Sequence, residues 1–223
     1  MEMSSAPPPT PPSPQPAPPA PSGYPVTFSV EYPERELNRL TTFFRIFTVI
    51  PILIVAGLLP GSELTNYGYE AGISMGSIVF VPLVLMLLFR KKYPGWWFSW
   101  NLELLRFLNR VGVYLALMDD RYPSTDEQQA VRLEYPQPES QGLQRGMPLI
   151  KWLLAIPHYI VLFFLGIGAF FALIGAWFAI LFTGRYPRGI FTFLEGVGRW
   201  HNRVTGYAIT LVTDEYPPFR LTP

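Results

Sequence analysis

From Trp152 to Gly184 the chain runs for 33 residues without one Asp, Glu, Lys or Arg, and no other feature restricts its fold so severely. About 20 apolar residues are enough to cross a hydrocarbon core of ~30 Å as a helix. Lipid offers backbone N–H and C=O groups no partner, so segments of this kind satisfy them internally as helices. Two earlier stretches, 40–59 and 73–89, are similarly apolar and are joined by Pro60–Gly72, which carries Glu63, Asn66 and Glu70. The later block is too long for one crossing, and Gly166 and Gly168 near its middle are where it is expected to turn back. The reading is therefore two helical hairpins, 40–89 and 149–183, giving four membrane segments.

Each hairpin is followed by a segment of a different kind. Residues 96–118 and 190–211 are long enough to cross but carry charges at mid-length. Ser99, Glu103, Arg106 and Arg110 fall at spacings of 4, 3 and 4, a polar stripe on one helical face. Leu104, Leu105, Leu108, Val111 and Leu115 cover the other side. Arginines at the bilayer centre are costly. An in-plane amphipathic helix, with Trp96, Trp97 and Trp100 at headgroup depth, avoids that cost.

The two halves match each other. Glu31-Tyr32-Pro33 recurs as Glu134-Tyr135-Pro136, and Lys92-Tyr93-Pro94 as Arg185-Tyr186-Pro187. Arg45 stands six residues before Pro51, as Lys151 does before Pro157. Arg106, Asn109-Arg110-Val111 and Tyr114 recur as Arg199, Asn202-Arg203-Val204 and Tyr207, and Asp120-Arg121-Tyr122-Pro123 echoes Asp214-Glu215-Tyr216-Pro217. The chain is thus read as a proline-rich tail, 1–23, and two tandem units, 24–128 and 129–223. Val26, Phe28 and Val30 alternate before Glu31, as Val131 and Leu133 do before Glu134, so each unit opens with a short strand. The two strands are expected to pair near a pseudo-twofold axis.

Charge placement sets the expected topology. Neither turn, 60–72 nor 166–168, contains Lys or Arg, so all 17 basic residues fall on one side. That side is cytoplasmic by the positive-inside rule, with both termini there, in the cell membrane as a multi-pass protein. Arg45 and Lys151, inside helix ends, are expected to snorkel back to that surface.

Composition excludes several functions. A net charge of +1 argues against nucleic acid held by counterion release, and without cysteine there is no disulfide, thiol nucleophile or Cys-ligated metal. Ten prolines between Pro7 and Pro21 predict a disordered, polyproline-II-biased tail, read first as a spacer and second as the ligand of a proline-recognition partner. The first 22 residues hold no apolar signal-peptide core. His158 and His201 have no histidine at the matched positions of the first half, so neither a metal nor a cofactor is expected. Glu103 aligns with Gly196, so no symmetric acid–base pair follows. Asp119, Asp120, Asp214 and Glu215 read as caps or solvated charges. The recurring cations and asparagines, Lys92, Arg106, Asn109 and Arg110 with Arg185, Arg199, Asn202 and Arg203, are the candidate site, placed to grip anionic lipid phosphates.

The run from Leu149 through Lys151-Trp152 to Pro157-His158, then Trp177-Phe178-Ala179-Ile180-Leu181-Phe182-Thr183-Gly184-Arg185-Tyr186-Pro187-Arg188-Gly189, resembles a bacterial membrane family catalogued as a domain of unknown function. Arg199-Trp200, Asn202-Arg203-Val204 and Asp214-Glu215-Tyr216-Pro217-Pro218-Phe219 fit it too. The resemblance covers about 24–219 as two copies and is weaker in the first, where Arg90-Lys91-Lys92 replaces Thr183-Gly184-Arg185 and Ile52 replaces His158. It implies a membrane location and a bacterial origin, and no reaction. The expectation is an all-α, non-enzymatic membrane protein that binds the cytoplasmic leaflet and scaffolds a partner; the alternative is a transporter or channel subunit for a lipid or apolar substrate.

Overall fold

The computed structural model describes residues 23–58, 83–90, 93–125, 127, 129–138, 144 and 146–223. The tail up to Ser22, the 60–72 connection, residues 73–82 and Lys92 lie outside them. The chain is mostly helical, with strands β1 (Thr27–Val30) and β2 (Val131–Glu134) and helices α1 (Arg39–Thr48), α2 (Ile50–Leu58), α3 (Gly95–Leu115), α4 (Met147–Leu154), α5 (Ile156–Thr183) and α6 (Arg188–Ala208). A π-helical turn occupies Met86–Arg90.

The strands form where alternation predicts them. Phe28, Val30 and Leu133 are buried while Thr27, Ser29, Arg132 and Glu134 are exposed, the period of two that a half-buried strand requires. β1 and β2 pair antiparallel, Phe28 opposite Leu133 and Val30 opposite Val131. The ribbon crosses between halves: β1 packs on α6, and β2 packs on α3. Its seat is close. A Cβ added at Gly198 would stand 2.9 Å from the Phe28 ring, and one at Gly206 would stand 2.9 Å from Val26.

Both apolar helical stretches are broken near their start, after the 10 residues of α1 and the 8 residues of α4. Pro51 and Pro157 lack the N–H that would bond to the carbonyl four residues back, so α1 gives way to α2 and α4 to α5 at these points. Val49 and Ala155, at the breaks, donate to the carbonyls of Arg45 and Lys151, each at 2.9 Å. The Asn38 side chain caps α1 by accepting the N–H groups of Leu40 and Thr41.

The second expected hairpin is not one. α5 passes through Gly166 and Gly168 as a single 28-residue helix and ends at Gly184, whose φ of 74° gives a left-handed C-cap. A glycine inside a helix costs about 1 kcal/mol. A turn inside an apolar segment strands several backbone polar groups, at a higher cost each. Neither position requires glycine, since an added Cβ at Gly166 would meet open space and one at Gly168 would stand 3.6 Å from the Phe193 ring, an ordinary contact. Among the described residues one helical stretch, Met147–Thr183, is long and apolar enough to cross a membrane; α1 and α2 qualify only as a pair bent by 45°. Among the described residues four membrane segments are not found, and most of the expected segment 73–89 lies outside them.

Arg45 and Lys151 do not snorkel. They are 2% and 1% exposed, each turned into the protein toward a carboxylate from beyond the long helix of its own half. Arg45 Nη2 lies 2.9 Å from Asp120 Oδ1, and Lys151 Nζ lies 2.6 Å from Asp214 Oδ1. Arg45 also donates to the carbonyls of Tyr114 and Asp119, and Lys151 to that of Thr213 at 2.7 Å. The Tyr114 and Tyr207 rings cover the two cations at 4.1 and 5.2 Å. The carboxylates are shared: Asp120 Oδ2 accepts the Asn38 N–H at 3.0 Å, and Asp214 Oδ2 accepts that of Gln144 at 2.7 Å.

Removing one partner of a buried pair leaves the other charge stranded, which typically costs about 3–5 kcal/mol. Asp120→Asn and Asp214→Asn are each expected to lower stability by about that much, read as the loss of near-UV circular dichroism on heating in detergent. Asp214→Asn with Lys151→Met, which removes both charges, should recover most of the loss. Equal damage from the double variant would show that the pair does not hold the break.

Candidate functional site

α3 and α6 carry the aligned arginines and asparagines, and their 3- and 4-residue spacing does place these on one helical face. That face looks into the protein. Where the helices cross, Asn109 and Asn202 exchange side-chain amide hydrogen bonds of 2.9 and 2.8 Å. Each also donates back to its own helix, to Leu105 and Gly198, so the pair is locked in one orientation.

The arginines one turn earlier hold the ribbon. Arg106 Nε donates to the Leu133 carbonyl of β2 at 3.1 Å, and Arg199 Nε to the Phe28 carbonyl of β1 at 3.0 Å. Arg106 is set by Glu103, 2.7 Å away, and Arg199 by Glu195, 2.9 Å away. Glu195 reaches β1 directly as well, accepting the Val30 N–H. The next arginines clamp chain past the Tyr-Pro turns. Arg110 Nη1 donates to the carbonyls of Ser124 and Thr125, and Arg203 donates through Nη1 to Arg220 and through Nη2 to Thr222. Arg110, Arg199 and Arg203 are all buried, and Arg203 is only 2% exposed. Burial, with the charges of Arg220 and Arg199 close by, lowers the pKa of Arg203.

Tyrosines complete the frame. Tyr93 donates to the Thr210 carbonyl at 2.6 Å and Tyr186 to that of Ala116 at 2.9 Å, each just beyond the other half's long helix. Leu117 and Leu211, next to these acceptors, take left-handed φ values of 62° and 57°. Tyr135 donates to the Asn202 carbonyl, and burial pushes its phenol up, as it does for Tyr93 and Tyr186.

Of the eight residues singled out from sequence, six therefore bind within the protein: two at the crossing of α3 and α6, two against the ribbon and two on the chain past the Tyr-Pro turns. Arg185 stands apart, exposed beyond the C-cap of α5. Lys92 lies outside the described residues. Sequence reasoning left His158 out of the candidate site as a histidine hydrogen-bonded among the helices, and it is fully buried there: Trp200 Nε1 donates to its Nδ1 at 3.0 Å and Phe219 stacks on it at 4.0 Å. The first half has apolar Ile52 and Phe107 at these positions, and that difference was the available signal. A cleft of about 370 Å³ opens beside the crossing, lined by Leu105, Leu108, Gly112, Leu194, Gly198 and the paired asparagines. Among the described residues no cluster of His, Asp and Glu could hold a metal ion.

This is a helical protein whose apolar helices face outward and whose arginines bind its own backbone. Residues 147–220 match a family described as a domain of unknown function, DUF4389. No curated protein and no solved structure matches the chain.

The clamps have a direct test. Arg199→Gln removes the charge facing Glu195 and the donors to Phe28 and Leu221, and is expected to destabilise by about 3 kcal/mol. Arg199→Lys keeps the charge but loses the planar fork, so about half of that loss is expected. Chemical denaturation in detergent, followed by tryptophan fluorescence, measures both. Wild-type stability in the Gln variant would remove the arginine from the frame.

Proposed function

We propose that this chain is a non-enzymatic, membrane-bound protein of structural or accessory type that seats itself on the cytoplasmic leaflet and presents its polar side to a partner. One observation carries the reading, an inverted polarity. Phe43, Phe47, Phe163, Phe170, Phe171 and Phe182 are exposed, while Arg45, Lys151, Arg110, Arg199 and Arg203 are buried. Soluble proteins almost never bury Lys and Arg while leaving an aromatic surface of this extent in water, and patches of this size mark membrane or protein contacts. Hydrocarbon around α1, α2, α4 and α5 accounts for both halves of the observation.

Within this reading the buried arginines give shape, and anionic headgroups are met by exposed Arg185, just past α5, and Arg188, at the start of α6. The proline-rich segment is then free to carry a partner site on the cytoplasmic side. Vesicle flotation tests the seat. Wild type should float with phosphatidylglycerol–phosphatidylethanolamine vesicles and stay bound after carbonate washing. Phe163→Asp combined with Phe171→Asp should leave the vesicle fraction while keeping its helical circular dichroism. Recovery of the native chain as a folded, detergent-free soluble protein would defeat the proposal.

The α3–α6 cleft favours a second reading, a transporter or channel subunit for a lipid or apolar substrate. Gly112 faces open space there, with nothing within 4 Å of an added Cβ. If the cleft carries substrate, a fluorescent fatty acid should bind saturably to wild type and fail to bind Gly112→Phe. Binding that is unchanged in this variant would dismiss the second reading.

A further inference from the structure

The exposed phenylalanines of α5 lie on one side. Phe163, Phe164, Phe170, Phe171, Phe178 and Phe182 are all exposed, and at 100° per residue they span little more than a third of the helix circumference. Ala176 and Ile180 on the opposite side are fully buried. That side meets α6 along most of its length in antiparallel order. A Cβ at Gly175 would touch Ile190, one at Gly168 would touch Phe193, and His158 bonds to Trp200. The other side of α6 meets the ribbon through Glu195 and Arg199 and meets α3 through Asn202. The order of layers is therefore ribbon, then α3 with α6, then α5, with the phenylalanine stripe outermost.

This layering decides how the helix can lie in lipid. If α5 crossed the bilayer, α6 would cross beside it. The ribbon, with exposed Arg132 and Glu134, would then sit at membrane depth. Charge placement argues the same way. Lys151 precedes the uncharged block while Arg185 and Arg188 follow it, and a single crossing would put these cations on opposite sides. A hairpin would bring the ends together, but α5 does not turn. At 28 residues it is also about 42 Å long, well beyond a ~30 Å hydrocarbon core.

We propose that α5 does not cross the membrane: it lies along one leaflet, its phenylalanine stripe among the acyl chains, and the protein is monotopic there. This inference rests on the membrane-bound reading above and specifies how that binding is made. Both ends of the helix and the whole polar side then occupy the cytoplasmic face.

The chain has no cysteine, so single reporters can be introduced cleanly. Gly146→Cys and Gly189→Cys place thiols at exposed positions on either end of the apolar stretch, with open space around both. A membrane-impermeant maleimide should label both in inside-out vesicles and neither in right-side-out vesicles. Depth gives a second readout. A bimane attached at Phe163→Cys or at Phe178→Cys should be quenched equally by lipids brominated at a shallow acyl position. A Phe171→Cys bimane should lie no deeper than either. Labelling of 146 and 189 from opposite sides, or quenching that deepens toward position 171, would overturn the proposal while leaving membrane binding intact. Failure to float with vesicles would overturn both.

Discussion

Two buried cations at two helix breaks organise the structure. Arg45 and Lys151 each end a short apolar helix at a point where a following proline removes a backbone donor, and each finds its carboxylate in Asp120 or Asp214. A buried charge is tolerated only when it is paired and its remaining donors are satisfied. The carboxylate must therefore come to the break, and it brings the chain beyond α3 or α6 with it. A tyrosine ring covers each cation from the long helix of the same half. These two contacts tie the start of each apolar stretch to the chain that follows α3 or α6.

The same economy runs through the arginines of the crossing. Their donors go mostly to backbone carbonyls of strands and turns that have too few partners of their own, a short ribbon of two strands and irregular chain past the Tyr-Pro turns. Charged donors make these bonds stronger than neutral ones. The ribbon is exchanged between halves, Arg106 holding β2 and Arg199 holding β1. Neither half can then form its strand seat without the other, which couples them more tightly than the Asn109–Asn202 contact would alone.

Polarity is thus turned inside out. Aromatic and aliphatic side chains face outward on α1, α2, α4 and α5, while guanidiniums, an ammonium and an imidazole face inward. In water this arrangement would expose an aromatic surface and desolvate charge at the same time, two penalties of the same sign. Placed in hydrocarbon, the outer surface costs nothing and the inner charges are already paired or hydrogen-bonded. A frame of this kind does not depend on water to be stable.

The residues themselves determined much of this. Alternation located both strands, because a half-buried strand has a period of two whatever its surroundings. The uncharged block from Trp152 to Gly184 specified helical structure, and the register of Arg106, Asn109 and Arg110 with Arg199, Asn202 and Arg203 singled out residues that the frame uses, although it was read as a headgroup site. Direction was beyond the sequence. Helical spacing shows that a polar stripe exists, but an arginine stripe turned toward headgroups and one turned toward a strand have the same spacing. Gly166 and Gly168 read as a turn because glycine breaks helices in water, whereas in α5 an unbroken backbone ladder outweighs that preference. Asp120 and Asp214 looked like solvated turn residues until the fold brought Arg45 and Lys151 against them. What Arg45 and Lys151 are buried against is a property of contacts between residues 60 or more positions apart, and only the tertiary structure decides it.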